Sequence, residues 1–155
     1  MVMVQVEETI GCTPHELLDF VMDIGRYAEV DEKINPVLWW RREGDLLEFA
    51  CRPKLAGVRQ PKVIQQSRLT PGKRIDISLS PLPRNRMAHT IASFEASFEC
   101  VEVAGGTRVT RTLNFRFAPA VRWFLEPLFC RRLPREVREE VQLAKKHLEQ
   151  KHSAD

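Results

Sequence analysis

The sequence predicts an α+β domain in which a curved, seven-stranded antiparallel sheet wraps around a long C-terminal helix, with two short helices after the first strand. Several segments alternate apolar and polar residues with a constant parity, which is typical of strands buried on one face only. The last third of the chain instead carries apolar residues at helical spacing. Because a sheet must cover its apolar face, we expect the long helix to pack there.

Length and composition indicate one globular domain. The chain has 155 residues, which predicts a single domain over residues 1–150 and a loose tail at 151–155. Hydrophobic residues make up 43% and charged residues 29%, proportions that exclude a disordered or fibrous protein. The 24 basic and 21 acidic side chains leave a net charge of +3, which is too small an excess for a dedicated nucleic-acid-binding protein.

Targeting and metal-binding patterns are missing from the sequence. No apolar run reaches about 18 residues, so we expect neither a transmembrane helix nor stable membrane insertion. Residues 1–10 lack the basic start and continuous apolar stretch of a signal peptide. We therefore expect a cytoplasmic protein with no metal and no cofactor. None of the cysteines forms a C-x-x-C pair, so we expect reduced thiols at Cys12, Cys51, Cys100 and Cys130.

The first strand and helix have clear local signals. Residues 2–10 alternate as a strand that is buried on one face. Thr13 can cap a helix, Pro14 suits its first position, and Glu16 completes a capping box. Residues 23–27 then predict the end of this helix and a second, short one.

The middle of the chain predicts the other six strands. A hairpin connector at residues 43–45 joins the first two of them, and a loop is expected at 80–86 before the last two. A glycine-containing turn at 104–107 separates those two. The predicted strands cover residues 37–42, 46–52, 59–69, 75–79, 93–100 and 108–117.

The C-terminal helix is predicted from a single apolar stripe. An interior proline removes a helical hydrogen bond, so Pro127 and Pro134 predict a kink or two abutting segments. The mixed charges of residues 131–140 predict the solvated back of the helix. The stripe, spaced by 4, 4, 3 and 4 residues, consists of Leu133, Val137, Val141, Ala144 and Leu148.

Seven strands offer more apolar surface than one helix can cover, so the sequence predicts either a solid core or a cavity between sheet and helix. On the second interpretation, the apolar parity of the sheet and one side of the helix would contact a hydrophobic ligand. The candidate ligand-binding residues are Phe49, Cys51, Ile77, Phe94, Phe98, Leu113 and Phe115 from the strands and Phe124, Leu128 and Phe129 from the helix.

The order and spacing of these elements resemble the START-like (SRPBCC) superfamily in its polyketide cyclase/dehydrase-like branch, over residues 2–150. The resemblance implies a helix-grip fold with a hydrophobic cavity between sheet and helix, and members carry, bind or transform lipids, polyketides, sterols or quinones. The residues that support it are Thr13-Pro14-His15-Glu16, Phe20-Val21-Met22-Asp23, Arg26-Tyr27, Gly44-Asp45 and Gly105-Gly106-Thr107-Arg108-Val109-Thr110.

Three polar residues are candidates for chemistry. Arg111 shares the parity of apolar neighbours and should point inward, where it could bind a ligand carboxylate or enolate oxygen or pair with an internal glutamate. His89, at the start of the strand that carries Phe94, could act as a general acid or base or lie on the surface. Tyr27 is expected near the cavity mouth or in ordinary packing.

Trp39 and Trp40 are adjacent in a strand, so we expect one to face inward and the other outward. Trp39 is included among the candidate ligand-binding residues. The outward tryptophan could mark a surface for a protein partner.

These observations predict a binding protein, for transport or sequestration, whose partner is a hydrophobic small molecule such as a lipid, polyketide or isoprenoid. One alternative is a polyketide cyclase or dehydratase that uses inward polar residues, with Arg111 stabilising an oxyanion. A second is a protein-interaction module with a filled interior. In each case the sequence is compatible with a homodimer but does not determine the oligomeric state.

Overall fold

The computed structural model describes residues 1–153, with side chains through residue 151. It shows nine strands and four helices over these residues. In chain order they are β1 (Val2–Ile10), α1 (Pro14–Met22), α2 (Ile24–Tyr27), β2 (Val37–Glu43), β3 (Leu46–Cys51), β4 (Lys54–Leu55), β5 (Val58–Arg59), β6 (Val63–Thr70), β7 (Arg74–Leu79), α3 (Arg86–Ile91), β8 (Ala92–Val103), β9 (Gly106–Phe117) and α4 (Pro119–Ser153).

Seven strands form one antiparallel sheet in the order β1-β9-β8-β7-β6-β3-β2. The predicted seven-stranded sheet with a long C-terminal helix is therefore confirmed. The two short strands β4 and β5 pair separately as a small hairpin that the sequence did not indicate. Strand β6 begins at Val63, after Pro61, so the proline lies outside the hydrogen-bonded ladder.

The predicted start of α1 is confirmed by its hydrogen bonds. The backbone N–H of Glu16 donates to Thr13 Oγ1 at 3.1 Å, and the backbone N–H of Thr13 donates back to Glu16 Oε1 at 3.3 Å. Pro14 occupies the first turn, where it leaves no helical hydrogen bond unmade. The capping box thus ends β1 and turns the chain onto the inner face of the sheet.

Helix α4 is a single helix of 35 residues that includes Pro127 and Pro134. The expected division into two segments is wrong, because the helix continues through both prolines. Each proline removes one N–H donor from the helical hydrogen bonds. The helix also extends through residues 151–153 of the predicted tail. Residues 154–155 of the predicted tail lie outside the described residues.

The helix covers only part of the sheet. It packs against β1 and β9, at one end of the strand order. The predicted stripe on α4 is buried, with Leu133 and Val137 fully shielded from solvent. The inner faces of β8, β7, β6 and β3 extend beyond this contact, which leaves room between them and the helices. None of the described helices is both long and apolar enough to cross a lipid bilayer.

The expectation that one tryptophan of the pair faces inward is wrong. Trp39 is 39% exposed and Trp40 is 59% exposed. Both lie on β2, the edge strand farthest from α4, and a register shift between Val37 and Trp39 breaks the regular alternation. None of the described elements packs over this strand in a way that buries either ring.

Candidate functional site

A cavity of about 440 Å³ lies between the inner face of the sheet and the helices. Its walls come from α1, α2, α3 and α4, from strands β3, β6, β7, β8 and β9, and from the segment that precedes β6. Eight of the predicted ligand-contacting side chains line it: Phe49, Ile77, Phe94, Phe98, Arg111, Leu113, Phe115 and Phe129.

Aromatic rings form much of one wall. Phe115 on β9 lies 4.9 Å from Phe94 on β8 and 5.1 Å from Phe129 on α4, measured between ring centroids. Phe117, two positions along the same strand, also contacts Phe129 at 4.9 Å. These edge-to-face and tilted contacts fix the ring orientations. The wall is therefore rigid and apolar, and it suits a flat or branched hydrocarbon surface.

Two predicted helix residues do not line the cavity. Leu125 and Phe129, one turn apart on α4, face inward. Phe124 and Leu128 each precede one of them by one position, which turns them about 100° around the helix. Phe124 is 44% exposed, and Leu128 lies beside the arginines on the outer side of α4.

Trp39 and Cys51 are also absent from the cavity lining. Trp39 is excluded because β2 is an exposed edge strand, as described above. Cys51 is fully buried, and Gln65 on the adjacent strand donates its side-chain amide to Cys51 Sγ at 3.9 Å. Gln65 lines the cavity at this point in place of the thiol.

A cluster of charged side chains is buried beside the cavity. The ammonium of Lys33 donates to Glu140 Oε1 at 2.6 Å and to Asp31 Oδ1 at 2.8 Å. Arg111 Nε lies 3.2 Å from Glu140 Oε2, and its Nη2 lies 4.0 Å from Asp31 Oδ2. The hydroxyl of Tyr27 donates to Glu140 as well. We call these five residues the charge cluster.

The charge cluster is almost completely removed from solvent. The four charged side chains are between 1% and 6% exposed, and Tyr27 is 2% exposed. Every member except Glu140 lines the cavity, so the cluster places charged groups in a mostly apolar wall. Buried charges of this kind require partners, and each of these has at least two.

Different elements bring the cluster together. Arg111 points inward from β9 as its parity predicted, and Asp31 and Lys33 follow α2. Glu140 comes from α4, so the expectation that all of residues 131–140 face solvent is wrong. Its position, three residues after Val137 and four before Ala144, places it on the buried stripe, and this spacing was the signal that sequence reasoning missed.

Two guanidinium nitrogens of Arg111, Nε and Nη1, make no hydrogen bond to the described residues, although Nε lies within ion-pair distance of Glu140. The two carboxylates lie on the Nε and Nη2 side of its guanidinium, and Nη1 has no hydrogen-bond partner among the described residues. The guanidinium carbon also lies 4.1 Å from the centroid of the Phe98 ring, a cation–π contact. The arginine is thereby held in a fixed orientation at the cavity wall.

The cluster shifts the pKa values of its members. Burial raises the pKa of Asp31 and outweighs the lowering by Lys33, because Glu140 also raises it. Burial acts in the same direction on Glu140, but Arg111 and Lys33 dominate and lower its pKa. Burial and the neighbouring Glu140 hold the pKa of Tyr27 well above its usual value. Although burial opposes their charge, the nearby carboxylates raise the pKa of Lys33 and of Arg111.

The two remaining candidates for chemistry, Tyr27 and His89, lie in different surroundings. Tyr27 lines the cavity at the charge cluster rather than at an open mouth. His89 is half-buried on α3, where its Nε2 lies 2.8 Å from the carbonyl oxygen of Ser80. It is not part of the cavity wall. Among residues 1–151, no group of three or more histidine, cysteine, aspartate or glutamate side chains could hold a metal ion.

Known structures share this architecture. A protein of Thermus thermophilus aligns with a TM-score of 0.76 and 15% identity, over 95% of this chain and 97% of its own. The Zhui aromatase/cyclase of Streptomyces sp. R1128 aligns with a TM-score of 0.75 and 12% identity, over 96% and 93%. A START superfamily protein of Mycobacterium smegmatis aligns with a TM-score of 0.70 and 14% identity, over 96% and 97%.

At these identities the structural matches show a shared helix-grip fold. No curated protein matches the sequence significantly. The family model described as "Polyketide cyclase / dehydrase and lipid transport" matches residues 1–149. The chain therefore belongs to this polyketide cyclase/dehydrase family, as the resemblance of its sequence predicted.

Proposed function

We propose that this protein binds a hydrophobic small molecule, such as a lipid, polyketide or isoprenoid, in the cavity between sheet and helices. The observation that carries the proposal is the cavity of about 440 Å³, which lies within the size range of small-molecule sites. Its wall is mostly apolar, and the charge cluster and a few polar side chains such as Gln65 and Ser67 interrupt it. Such a lining favours an occupant that is mostly hydrocarbon.

The energetics of an empty cavity support the same function. At about 24 cal/mol per Å³, a dry void of this volume would cost roughly 10 kcal/mol. That cost is comparable with the whole stability of a typical domain, about 5–15 kcal/mol. A ligand that fills the space recovers the lost contacts, so occupancy stabilises the fold.

The cavity reaches the surface beside α3. Met87 and Ile91 on this helix line the cavity and are also 68% and 37% exposed. Residues 60–62, before β6, line the same end. This opening gives a hydrophobic molecule a route to the interior without unfolding the sheet.

Native mass spectrometry tests the proposal. The full chain would be purified without detergent and then incubated with a single lipid, a prenylated quinone or an aromatic polyketide. We expect a one-to-one adduct with at least one of these classes and a higher Tm for that complex. A protein that forms no adduct with any of them and shows no Tm shift would overturn the proposal.

A second candidate function is catalysis of a polyketide cyclisation or dehydration. It is favoured by the cavity-lining position of Tyr27 and Arg111, which places a hydroxyl and a guanidinium where a bound carbonyl could reach them. Incubation with a poly-β-ketone thioester, followed by mass analysis of the product, tests it. Catalysis is supported if the substrate loses water faster with the protein than in buffer and if Tyr27→Phe abolishes this acceleration. Equal rates with the protein and in buffer exclude catalysis.

A further inference from the structure

The first half of α4 exposes aromatic rings on a side that does not line the cavity. Trp123 is 75% exposed and Phe124 is 44% exposed, and their ring centroids lie 4.9 Å apart. Leu128 follows Phe124 by one helical turn and lines a surface groove together with Arg131 and Arg135. We call these five residues the aromatic–arginine face.

The positive charge of the protein is concentrated in the same half of the helix. Residues 119–138 contain five arginines and two glutamates, whereas the rest of the chain carries 19 basic and 19 acidic side chains. The two glutamates are already engaged: Glu126 lies 2.9 Å from the N-terminal amine, and Glu136 accepts the backbone N–H of Ala56 at 3.1 Å. The aromatic–arginine face is therefore complementary to an anionic surface.

The chemistry of the face favours a lipid surface as its partner. The indole N–H of Trp123 already donates to the carbonyl oxygen of Ala120 at 3.2 Å, so the exposed ring needs no hydrogen bond from a partner. Tryptophan, phenylalanine and leucine beside arginines are typical of helices that lie in the interface of a bilayer. There the aromatic rings enter the headgroup region, and the arginines contact anionic lipids.

The aromatic–arginine face lies next to the cavity. Leu125 and Phe129, each one position after a residue of the face, line the cavity. The backbone N–H of Ala118, just before α4, donates at 2.8 Å to the carbonyl oxygen of Ile91 at the cavity opening. A bilayer in contact with the face would therefore lie close to the opening.

We propose that the aromatic–arginine face docks reversibly on an anionic lipid bilayer. Trp123 and Phe124 enter the headgroup region, and Arg131 and Arg135 contact lipid phosphates. This inference goes beyond the proposed function and does not depend on it, because docking requires no ligand in the cavity.

Co-sedimentation of the full chain with large unilamellar vesicles tests the docking. Vesicles of equimolar phosphatidylcholine and phosphatidylglycerol would be compared with vesicles of phosphatidylcholine alone. We expect the protein to bind the anionic vesicles about tenfold or more tightly than the neutral ones. The binding should weaken strongly between about 0.1 M and about 1 M salt, because salt screens the attraction between arginines and lipids.

Two double variants assign the binding to the face. Trp123→Ser with Phe124→Ser removes the rings, and Arg131→Gln with Arg135→Gln removes two charges. Each should weaken binding to the anionic vesicles by about tenfold or more. Since the substituted side chains are exposed, the Tm of each variant should match that of the parent.

Matched controls make the same kinds of change on the sheet. Trp40→Ser removes a tryptophan that is 59% exposed on β2, and Arg42→Gln with Arg108→Gln removes two exposed arginines. These variants should weaken binding to the anionic vesicles far less than the variants of the face.

Several results would overturn the docking. They are no binding to the anionic vesicles, equal binding to the neutral ones, or unchanged affinity in both double variants of the face. A dimer measured by light scattering without vesicles, and lost in Trp123→Ser with Phe124→Ser, overturns it too, because a second copy then occupies the face. Ligand adducts in native mass spectrometry without vesicle binding reject the docking alone, whereas vesicle binding without adducts rejects the proposed function alone.

Discussion

Glu140 contacts three of the other four members of the charge cluster. It accepts hydrogen bonds from Lys33 and Tyr27 and lies 3.2 Å from Arg111 Nε, although its own side chain is only 1% exposed. Two cations from different parts of the chain therefore depend on one carboxylate from α4. Since a buried charge without a partner is far more costly than a missing surface pair, this residue should matter greatly for stability.

Replacing Glu140 with glutamine tests this role. Glutamine has the same shape but no charge, so Lys33 and Arg111 would share Asp31 alone. We expect the free energy of unfolding in urea to fall by about 3–5 kcal/mol. Glu139→Gln is the control: Glu139 pairs with Arg135 on the exposed side of α4, and its loss should cost no more than about 0.5 kcal/mol. Equal effects of the two variants would contradict the interpretation.

The buried thiol of Cys51 predicts a loss of stability at high pH. Burial, and to a smaller extent Asp31, raises its pKa from about 9 to about 12. Between these values the unfolded chain loses the proton while the folded chain keeps it, so stability falls as pH rises. Each pH unit in this window removes up to about 1.4 kcal/mol for this group.

Urea unfolding at several pH values between 7 and 11 measures this effect. In Cys51→Ala the contribution is absent, so the stability of the variant should decline less steeply above pH 9 than that of the parent. Cys130→Ala, which removes an exposed thiol, controls for the loss of a cysteine as such. Parallel curves for the parent and Cys51→Ala would show that the assignment is wrong.

At the scale of elements, the placement of α4 explains both the core and the cavity. The helix packs on β1 and β9, and its apolar stripe closes that part of the sheet. The rest of the inner face is left to α1, α2 and α3, which are nine residues long or shorter. Short helices cover less area than the strands expose, and the cavity follows from that difference.

Leu133 tests the contribution of the α4 stripe. It is fully buried, so truncation to alanine leaves a void and should lower the free energy of unfolding by about 2–5 kcal/mol. Leu143 on the same helix is 46% exposed, and Leu143→Ala should change the stability by less than about 0.5 kcal/mol. Urea titrations compare the two variants directly. A small effect at Leu133 would mean that the helix does not close the core.

For the molecule as a whole, an open cavity permits ligand binding but lowers the stability of the fold. A space kept open for a ligand is a space without packing, so filling it should stabilise the fold and block binding. Ser67 on β6 is buried and lines the cavity, which makes it the position at which to test this coupling.

In Ser67→Leu, an isopropyl group replaces the hydroxyl, so two additional heavy atoms would occupy part of the cavity. We expect the free energy of unfolding to rise by about 1–2 kcal/mol, while the affinity for a fluorescent apolar dye that binds in the cavity falls by about tenfold or more. Ser93→Leu adds the same group on the exposed face of β8 and should leave dye binding unchanged. Lower stability together with unchanged binding would show that residue 67 faces packed core instead.

The architecture and the inward direction of Arg111 were determined by the sequence alone, because both depend on periodicity within one segment. Alternation assigns a face to each strand residue, and helical spacing assigns a side to each helix residue. Eight of the predicted lining residues accordingly reach the cavity. The helical spacing also indicates that Glu140 is buried.

The contacts between segments were decided by the tertiary structure. Lys33 meets Glu140 across 107 residues of chain, and no local pattern encodes that contact. The exposure of Trp39 likewise depends on β2 being an edge strand. Phe124 and Leu128 do not line the cavity because of the rotation of α4 about its axis. Periodicity specifies which way a side chain points, but only the packing of the elements specifies what it meets.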